Sequence, residues 1–150
     1  MLLDYENHRQ LQDYTKTLNH FYKNTPALWQ IDYSWDGFQW ICGDDNNNSV
    51  IAFIRKDKKR TFVIAVFNFT KVKREKYCIG VPSAGNYEVV LNSDAVEFGG
   101  NGDGSAGCIA SRPKPLHGFA HSVELNLEGY SSIYLKKKRN TRAKNEEIEQ

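Results

Sequence analysis

The chain has no long hydrophobic run, no large excess of one charge and few cysteines. No apolar stretch approaches ~18 residues, so no helix is expected to span a membrane. Twenty Lys and Arg against eighteen Asp and Glu leave a net charge of +2 over 150 residues. That balance is too small to imply a polyanionic partner. The three cysteines, Cys42, Cys78 and Cys108, are odd in number and far apart. No pair has metal or redox spacing, so buried thiols in a reducing compartment are expected. Met1-Leu2-Leu3 runs at once into Asp4 and Glu6, which is not the pattern of a signal peptide. A cytoplasmic protein is the expectation. The sequons at Asn47 and Asn68 then read as accidental.

What is present is aromatic. Phe, Trp and Tyr make up 13% of the chain, which suits a β-rich domain with large core side chains. The first segment is different. Leu11, Tyr14, Leu18 and Phe21 recur at steps of three and four, predicting one amphipathic helix over residues 4–23 with Asp4 as its N-cap. Thr25-Pro26 stops it. From residue 31 the period becomes two. Strands are predicted over residues 31–34 and 38–41, joined by a hairpin turn at Trp35-Asp36-Gly37. Further strands are predicted over 50–55, 61–69, 77–81, 87–92, 123–127 and 131–135. The run 61–69 is apolar on both faces and should lie centrally in a sheet. Residues 99–107 read as a flexible excursion. Beyond Lys136 the apolar pattern stops, and a solvated tail is expected.

Several short motifs invite chemistry and are better explained by structure. Gly102-Asp103-Gly104-Ser105-Ala106-Gly107 fits G-x-G-x-x-G, but prolines 113 and 115 follow where a phosphate-binding helix should start. Without a bidentate Glu the same loop is not a calcium hand. His117 and His121 have helical zinc spacing, yet Pro115 and Gly118 argue for a turn whose imidazoles bond to backbone. Asp44 and Asp45 are adjacent and diverge, unlike a glycosidase pair about 5–10 Å apart across a sugar. Lys56, Lys58, Lys59 and Arg60, then Lys71, Lys73, Arg74 and Lys76, form a solvated rim; Phe62 and Phe67 go to the core run. No nucleic-acid partner is expected. Among the tryptophans, Trp40 alternates as a core residue would and Trp29 should seal the junction of helix and strands. Trp35 sits at a turn, where an exposed indole can stack on a sugar ring. It is the one carbohydrate-contact candidate. No catalytic, cofactor or metal residues are assigned.

An ordered set of words spans the chain: Pro26-Ala27-Leu28, Gly37-Phe38-Gln39-Trp40-Ile41, Asn68-Phe69-Thr70, Gly80-Val81-Pro82, Leu91-Asn92-Ser93-Asp94, Phe98-Gly99-Gly100, His117-Gly118 and His121-Ser122. In this order and spacing the chain resembles the C-terminal region of bacterial 1,4-α-glucan (glycogen) branching enzymes, in the α-amylase superfamily. The resemblance covers residues 2–135. It implies a mainly β fold, an antiparallel β-sandwich of the α-amylase C-terminal type, preceded by one α-helix. It assigns residues 1–30 to the last helix of a missing catalytic barrel, 31–137 to the sandwich and 138–150 to a charged tail. The family's catalytic carboxylates lie in that barrel, and none transfers to a position here. With Met1 inside the family pattern, the chain is expected to be a piece of the longer enzyme. The implied role is a stabilising, non-catalytic one in glycogen biosynthesis. The implied partners are the barrel and, through the parent, α-glucan. The alternative is a stand-alone α-glucan-binding module. A third reading, a nucleic-acid-binding domain, rests only on the basic turns and residues 136–139. The helix should either fold back through Trp29 and Tyr22 or pair weakly with a second copy.

Overall fold

The computed structural model describes residues 2–139. Helix α1 (Glu6–Asn24) is followed by eight strands: β1 (Phe38–Asp45), β2 (Val50–Lys56), β3 (Phe62–Asn68), β4 (Arg74–Val81), β5 (Asn86–Asn92), β6 (Cys108–Ala110), β7 (His121–Leu127) and β8 (Ser132–Lys137). They form a six-stranded sheet in the order β1-β2-β3-β8-β5-β6 and a two-stranded sheet, β4-β7. Every pairing is antiparallel.

The pleat sets the core, because alternate residues of a strand face opposite sides. Ala52 lies opposite Val66, and Val66 opposite Ile133. Ile54, Ile64 and Leu135 make a second such row. These side chains pack with Ile79 and Val81 of β4 and with Val123, Leu125 and Leu127 of β7. All are essentially removed from water. Burying each contributes about 1.5–3 kcal/mol, so this inter-sheet core holds the sandwich together.

The other face of the large sheet is also apolar, and α1 lies over part of it. The Tyr14 hydroxyl bonds the Ser132 hydroxyl at 3.0 Å, and the Tyr14 ring meets Phe98 edge-on. Phe21 packs on Tyr134 at 5.3 Å, and Lys136 Nζ sits over the Phe21 ring. Leu18 and Tyr22 flank a groove floored by Phe53, Phe67 and Tyr134. The helix therefore folds back, but through Tyr14, Leu18 and Phe21 rather than Trp29. None of its described residues is fully buried, and Leu11 at the stripe's start is 62% exposed.

The structure corrects several local expectations. Residues 31–34 are not a strand, and Trp35–Gly37 is a 3-10 turn rather than a hairpin turn. Ser34 caps it by accepting the Asp36 N–H at 3.2 Å. Gly37 is required there because a Cβ would collide with the Ile31 carbonyl. The helix N-cap is Tyr5, with no side-chain bond, and Asp4 belongs to a short preceding turn. Residues 99–107 are tied down: Ser105 N–H donates to the Asn126 carbonyl, Asn92 Nδ2 to the Ser105 carbonyl and Val89 N–H to the Gly107 carbonyl. Strand β6 follows at once, where no strand was expected. Of the expected tail, Lys138 and Arg139 are described and exposed; residues 140–150 lie outside the described residues.

Candidate functional site

The edge of the large sheet presents a band of aromatic rings on its outer face. β1 places Phe38 and Trp40 there, β2 places Phe53 opposite Trp40, and β3 adds Phe67. Neighbouring rings touch in sequence: Trp35–Phe38 at 5.8 Å, Phe38–Trp40 at 4.9 Å, Phe38–Phe53 at 5.2 Å and Phe53–Phe67 at 5.7 Å. Phe67 then meets Tyr134 edge-on, beneath α1. Burial pushes the Tyr134 phenol up to about 12.

At the free end of this band is a cleft of about 340 Å³ lined by Asp32, Tyr33, Ser34, Trp35, Phe38, Trp40 and Arg55. Trp35 is 79% exposed, Tyr33 82% and Trp40 50%. The expected burial of Trp40 is thus corrected. Its alternation is real, but it points to the outer face. Trp29 is exposed too, which corrects its expected sealing role. Arg55 organises the cleft wall. Its Nη2 donates to Asp32 Oδ1 at 3.1 Å and, at 3.4 Å, to the Leu28 and Ile31 carbonyls. It thereby pins the irregular segment that carries Tyr33 and Trp35. Flat apolar rings beside a carboxylate and a guanidinium offer stacking plus hydroxyl recognition, the chemistry of a sugar contact. Trp35, the carbohydrate-contact candidate, stands at this cleft, and the fold brings Tyr33, Trp40 and Arg55 beside it, which their spacing in the sequence does not signal.

The remaining sequence candidates are held by structural bonds. The Tyr77 hydroxyl donates to Asp45 Oδ2 at 2.5 Å, and Asn48 donates to the same carboxylate from its backbone and its amide. The Tyr77 bond holds the Asp45 carboxyl below its ordinary value, while burial first and then Asp45 push the Tyr77 phenol up. Such a carboxylate is an anchored anion rather than an acid. His117 Nδ1 accepts the Gly80 N–H at 3.1 Å, and burial holds its pKa below 6.5. Gly80 tolerates no Cβ, because the Leu116 carbonyl lies against it. His121 lies in β7. No group of three or more potential metal ligands occurs among the described residues. The G-x-G-x-x-G run leads into β6, not a helix. Cys42 is buried, but Cys78 is half-buried and Cys108 exposed, so burial of all three thiols is corrected. Among the described residues no helix is long and apolar enough to cross a membrane.

Comparison with known proteins places the fold. A family model described as alpha amylase, C-terminal all-beta domain, matches residues 40–138. The chain is 42% identical over 134 residues to the 1,4-alpha-glucan branching enzyme GlgB of Francisella tularensis subsp. novicida (strain U112), covering 88% of this chain and 21% of that protein. It is 42% identical over 138 residues to GlgB of Prochlorococcus marinus (strain NATL1A), covering 91% and 18%. The GlgB of Halothermothrix orenii (strain H 168 / OCM 544 / DSM 9562) is 39% identical over 137 residues, with 91% and 22% covered. The chain spans only about a fifth of the length of these relatives. The crystal structure of alpha-amylase from H. orenii superposes with a TM-score of 0.51 at 21% identity, covering 84% of this chain and 20% of that one. That likeness concerns the fold.

Proposed function

The chain belongs to the α-amylase C-terminal all-β domain family, and from that premise we propose that it is the C-terminal part of a 1,4-α-glucan branching enzyme, with a stabilising rather than catalytic role. The parent cuts an α-1,4 glucan and transfers the piece to a 6-hydroxyl through a covalent glycosyl-enzyme. Its carboxylates sit in a barrel to which residues 1–30 contribute the last helix, with residues 31–137 as the sandwich behind it and 138–150 as the tail. Its place of work is the cytoplasm. The observation that carries this reading is the outer face of the large sheet. A helix covers it only in part, and Trp35, Trp40, Phe69 and Tyr22 stand exposed on or beside it. Such a surface suits a second body of the same enzyme. In isolation the same surface and the half-docked helix favour weak self-association.

The test is direct. Incubating the 150-residue chain with amylose should leave the iodine-complex absorbance and the reducing-end count at blank. Adding it to the separately produced remainder of the enzyme should raise that partner's melting temperature. Turnover by the chain alone, or no shift in the partner, refutes the proposal.

The aromatic cleft favours one further reading, an α-glucan contact at Trp35. One open platform is a small contact, and association entropy offsets much of its gain. Maltoheptaose should therefore bind no tighter than about the millimolar range, about −4 kcal/mol, when followed by tryptophan fluorescence. Micromolar binding abolished by Trp35→Ala would make the stand-alone binding module the better description.

A further inference from the structure

The fold gathers cations from distant parts of the chain at one end of the sandwich. The β2–β3 turn supplies Arg60, and the end of β8 supplies Lys137, followed by Lys138 and Arg139. The pairing of Val63 with Lys136 brings these two segments side by side. Between them lies a cleft of about 520 Å³ lined by Arg60, Thr61, Phe62, Lys137, Lys138 and Arg139. Four of its six lining residues are cations, and no carboxylate lines it among the described residues. We propose that this cleft is a binding site for a phosphate monoester, independent of the glucan reading above.

The turn is built to hold Arg60 in place. Its backbone is left-handed, with φ of 63°, and its N–H donates to the Asp57 carbonyl at 3.0 Å. Asp57 belongs to this turn and lines the two hollows that adjoin the cleft, one with Arg60 and the other with Arg139. Its Oδ1 is already occupied by the N–H groups of Lys59 and Thr61, at 2.8 and 2.9 Å. Glu88 lies across from Lys136 on β5 and is exposed. Lys137 Nζ donates to the Ser83 hydroxyl at 2.8 Å, at the cleft's margin rather than in its lining. Nearby, Lys136 Nζ bonds the Thr25 hydroxyl. The side chains of Arg60, Lys138 and Arg139 make no ion pair among the described residues. Among the described residues the four cations of the cleft outnumber the carboxylate beside them, Asp57, so positive charge remains in excess, and an anion at their centre relieves the repulsion. The near-neutral total charge hides such a local field.

The chemistry selects the anion. Two guanidinium groups present planar forks that match phosphate oxygens two at a time, and two ammonium groups add point charge. A phosphate monoester carries about −1.5 to −2 at neutral pH, more than a single carboxylate brings. The Phe62 ring offers an apolar wall for the body of the ester. The volume is that of a small-molecule site. A single-stranded nucleic acid would need a series of stacking rings along a basic groove, and Phe62 is the only ring among the described residues that line this one. Two sources carry the proposed group: a free sugar phosphate, and a phosphate esterified on a polysaccharide.

Titration of the full chain, followed by amide shifts and calorimetry, tests the site. Glucose 6-phosphate should shift the amides of residues 60–62 and 137–139, and glucose should not. Arg60→Gln/Arg139→Gln should weaken binding at least about tenfold, the scale of one lost charge-assisted bond. Lys138→Gln/Arg139→Gln, which leaves the turn untouched, should do the same, and Lys16→Gln on the exposed side of α1 should not. Equal affinity for inorganic phosphate supports the site and assigns it to free phosphate. Tighter binding of a phosphorylated glucan supports it and assigns the polymer. The proposal is overturned if neither phosphate nor the ester shifts these amides. It is also overturned if both double variants bind as the parent does, or if a short oligonucleotide binds more tightly than every phosphate ester.

Discussion

Loss of the Asn68 side chain should cost this domain several hydrogen bonds at once. Asn68 ends β3 with 2% of its surface exposed. Its Nδ2 donates to the carbonyls of Val72, at 2.9 Å, and Glu128, at 3.0 Å. Its Oδ1 accepts from Thr70 N, at 3.1 Å, and from the Thr70 hydroxyl, at 2.9 Å. One amide thus joins β3 to the turns that begin β4 and β8. Asn68→Ala removes all four bonds. At about 1 kcal/mol net each the ceiling is about 4 kcal/mol. Two groups recover part of this. The Glu128 carbonyl keeps its bond from the Ser131 hydroxyl, and half-buried Thr70 can reach water. The expected loss is about 2–3 kcal/mol. An unfolding entropy of about 2.1 cal/mol/K per residue makes this roughly 6–10 °C in Tm.

Asn68→Asp sharpens the test, because it keeps the shape and replaces the donor by an oxygen. That oxygen faces two carbonyls, so the charged form is disfavoured and the folded pKa must rise above the unfolded value of about 3.9. A raised carboxyl pKa gives stability that is present below the unfolded value and lost as pH rises through the folded one. The variant should therefore fall furthest behind the parent near neutral pH and recover towards pH 4. Urea or thermal unfolding across that range measures it. A loss under about 1 kcal/mol for the alanine variant would refute the reasoning, since a buried four-bond residue cannot be that cheap. A pH-independent gap for the aspartate variant would refute it as well. The same burial means that the Asn68-Phe69-Thr70 sequon cannot accept a glycan on the folded domain.

Two other outcomes follow from the geometry. In hydrogen exchange, amides of residues 11–21 should exchange well before those of residues 62–67, and Phe21→Ala should speed the former while leaving the latter, because α1 has no buried residue and β3 is central; uniform protection would sink this. His117 is held neutral by burial while its Nδ1 accepts the Gly80 N–H. Its depressed pKa gives stability that is complete above the unfolded value of 6.5 and lost as pH falls through the folded one, so His117→Asn, a residue suited to φ of 52°, should flatten the fall in Tm below that value.

Strands whose two faces differ in polarity were legible from the sequence. β7 reads directly, because Val123, Leu125 and Leu127 face the core and Glu124 and Asn126 do not. β3 was legible as a central strand because Val63 and Ala65 are apolar as well as Ile64 and Val66. The errors share a physical cause. Period-two alternation says that neighbouring residues face opposite ways, but not which way is inward. Alternation therefore does not place Trp40 on a sheet that carries large apolar groups on both faces, and its ring is half exposed. At Trp35 a Ser-x-Asp-Gly context supports either a hairpin turn or a capped 3-10 turn. What decides is the Ile31 carbonyl against Gly37, and contacts of that kind are not written in spacing. The 99–107 loop hid its order in bonds from Asn92 and Asn126, on two other strands. The basic cleft is the extreme case. Arg60 and Arg139 are far apart in the chain, and only the antiparallel register of β3 and β8 makes them neighbours. Both the aromatic band and the basic cleft thus depend on sheet pairing, so a variant that shifts the β3–β8 register should disrupt the two together. Substitutions at Trp35 or Arg60 alone should each weaken one, in the maltoheptaose and glucose 6-phosphate titrations respectively, and leave the other unchanged.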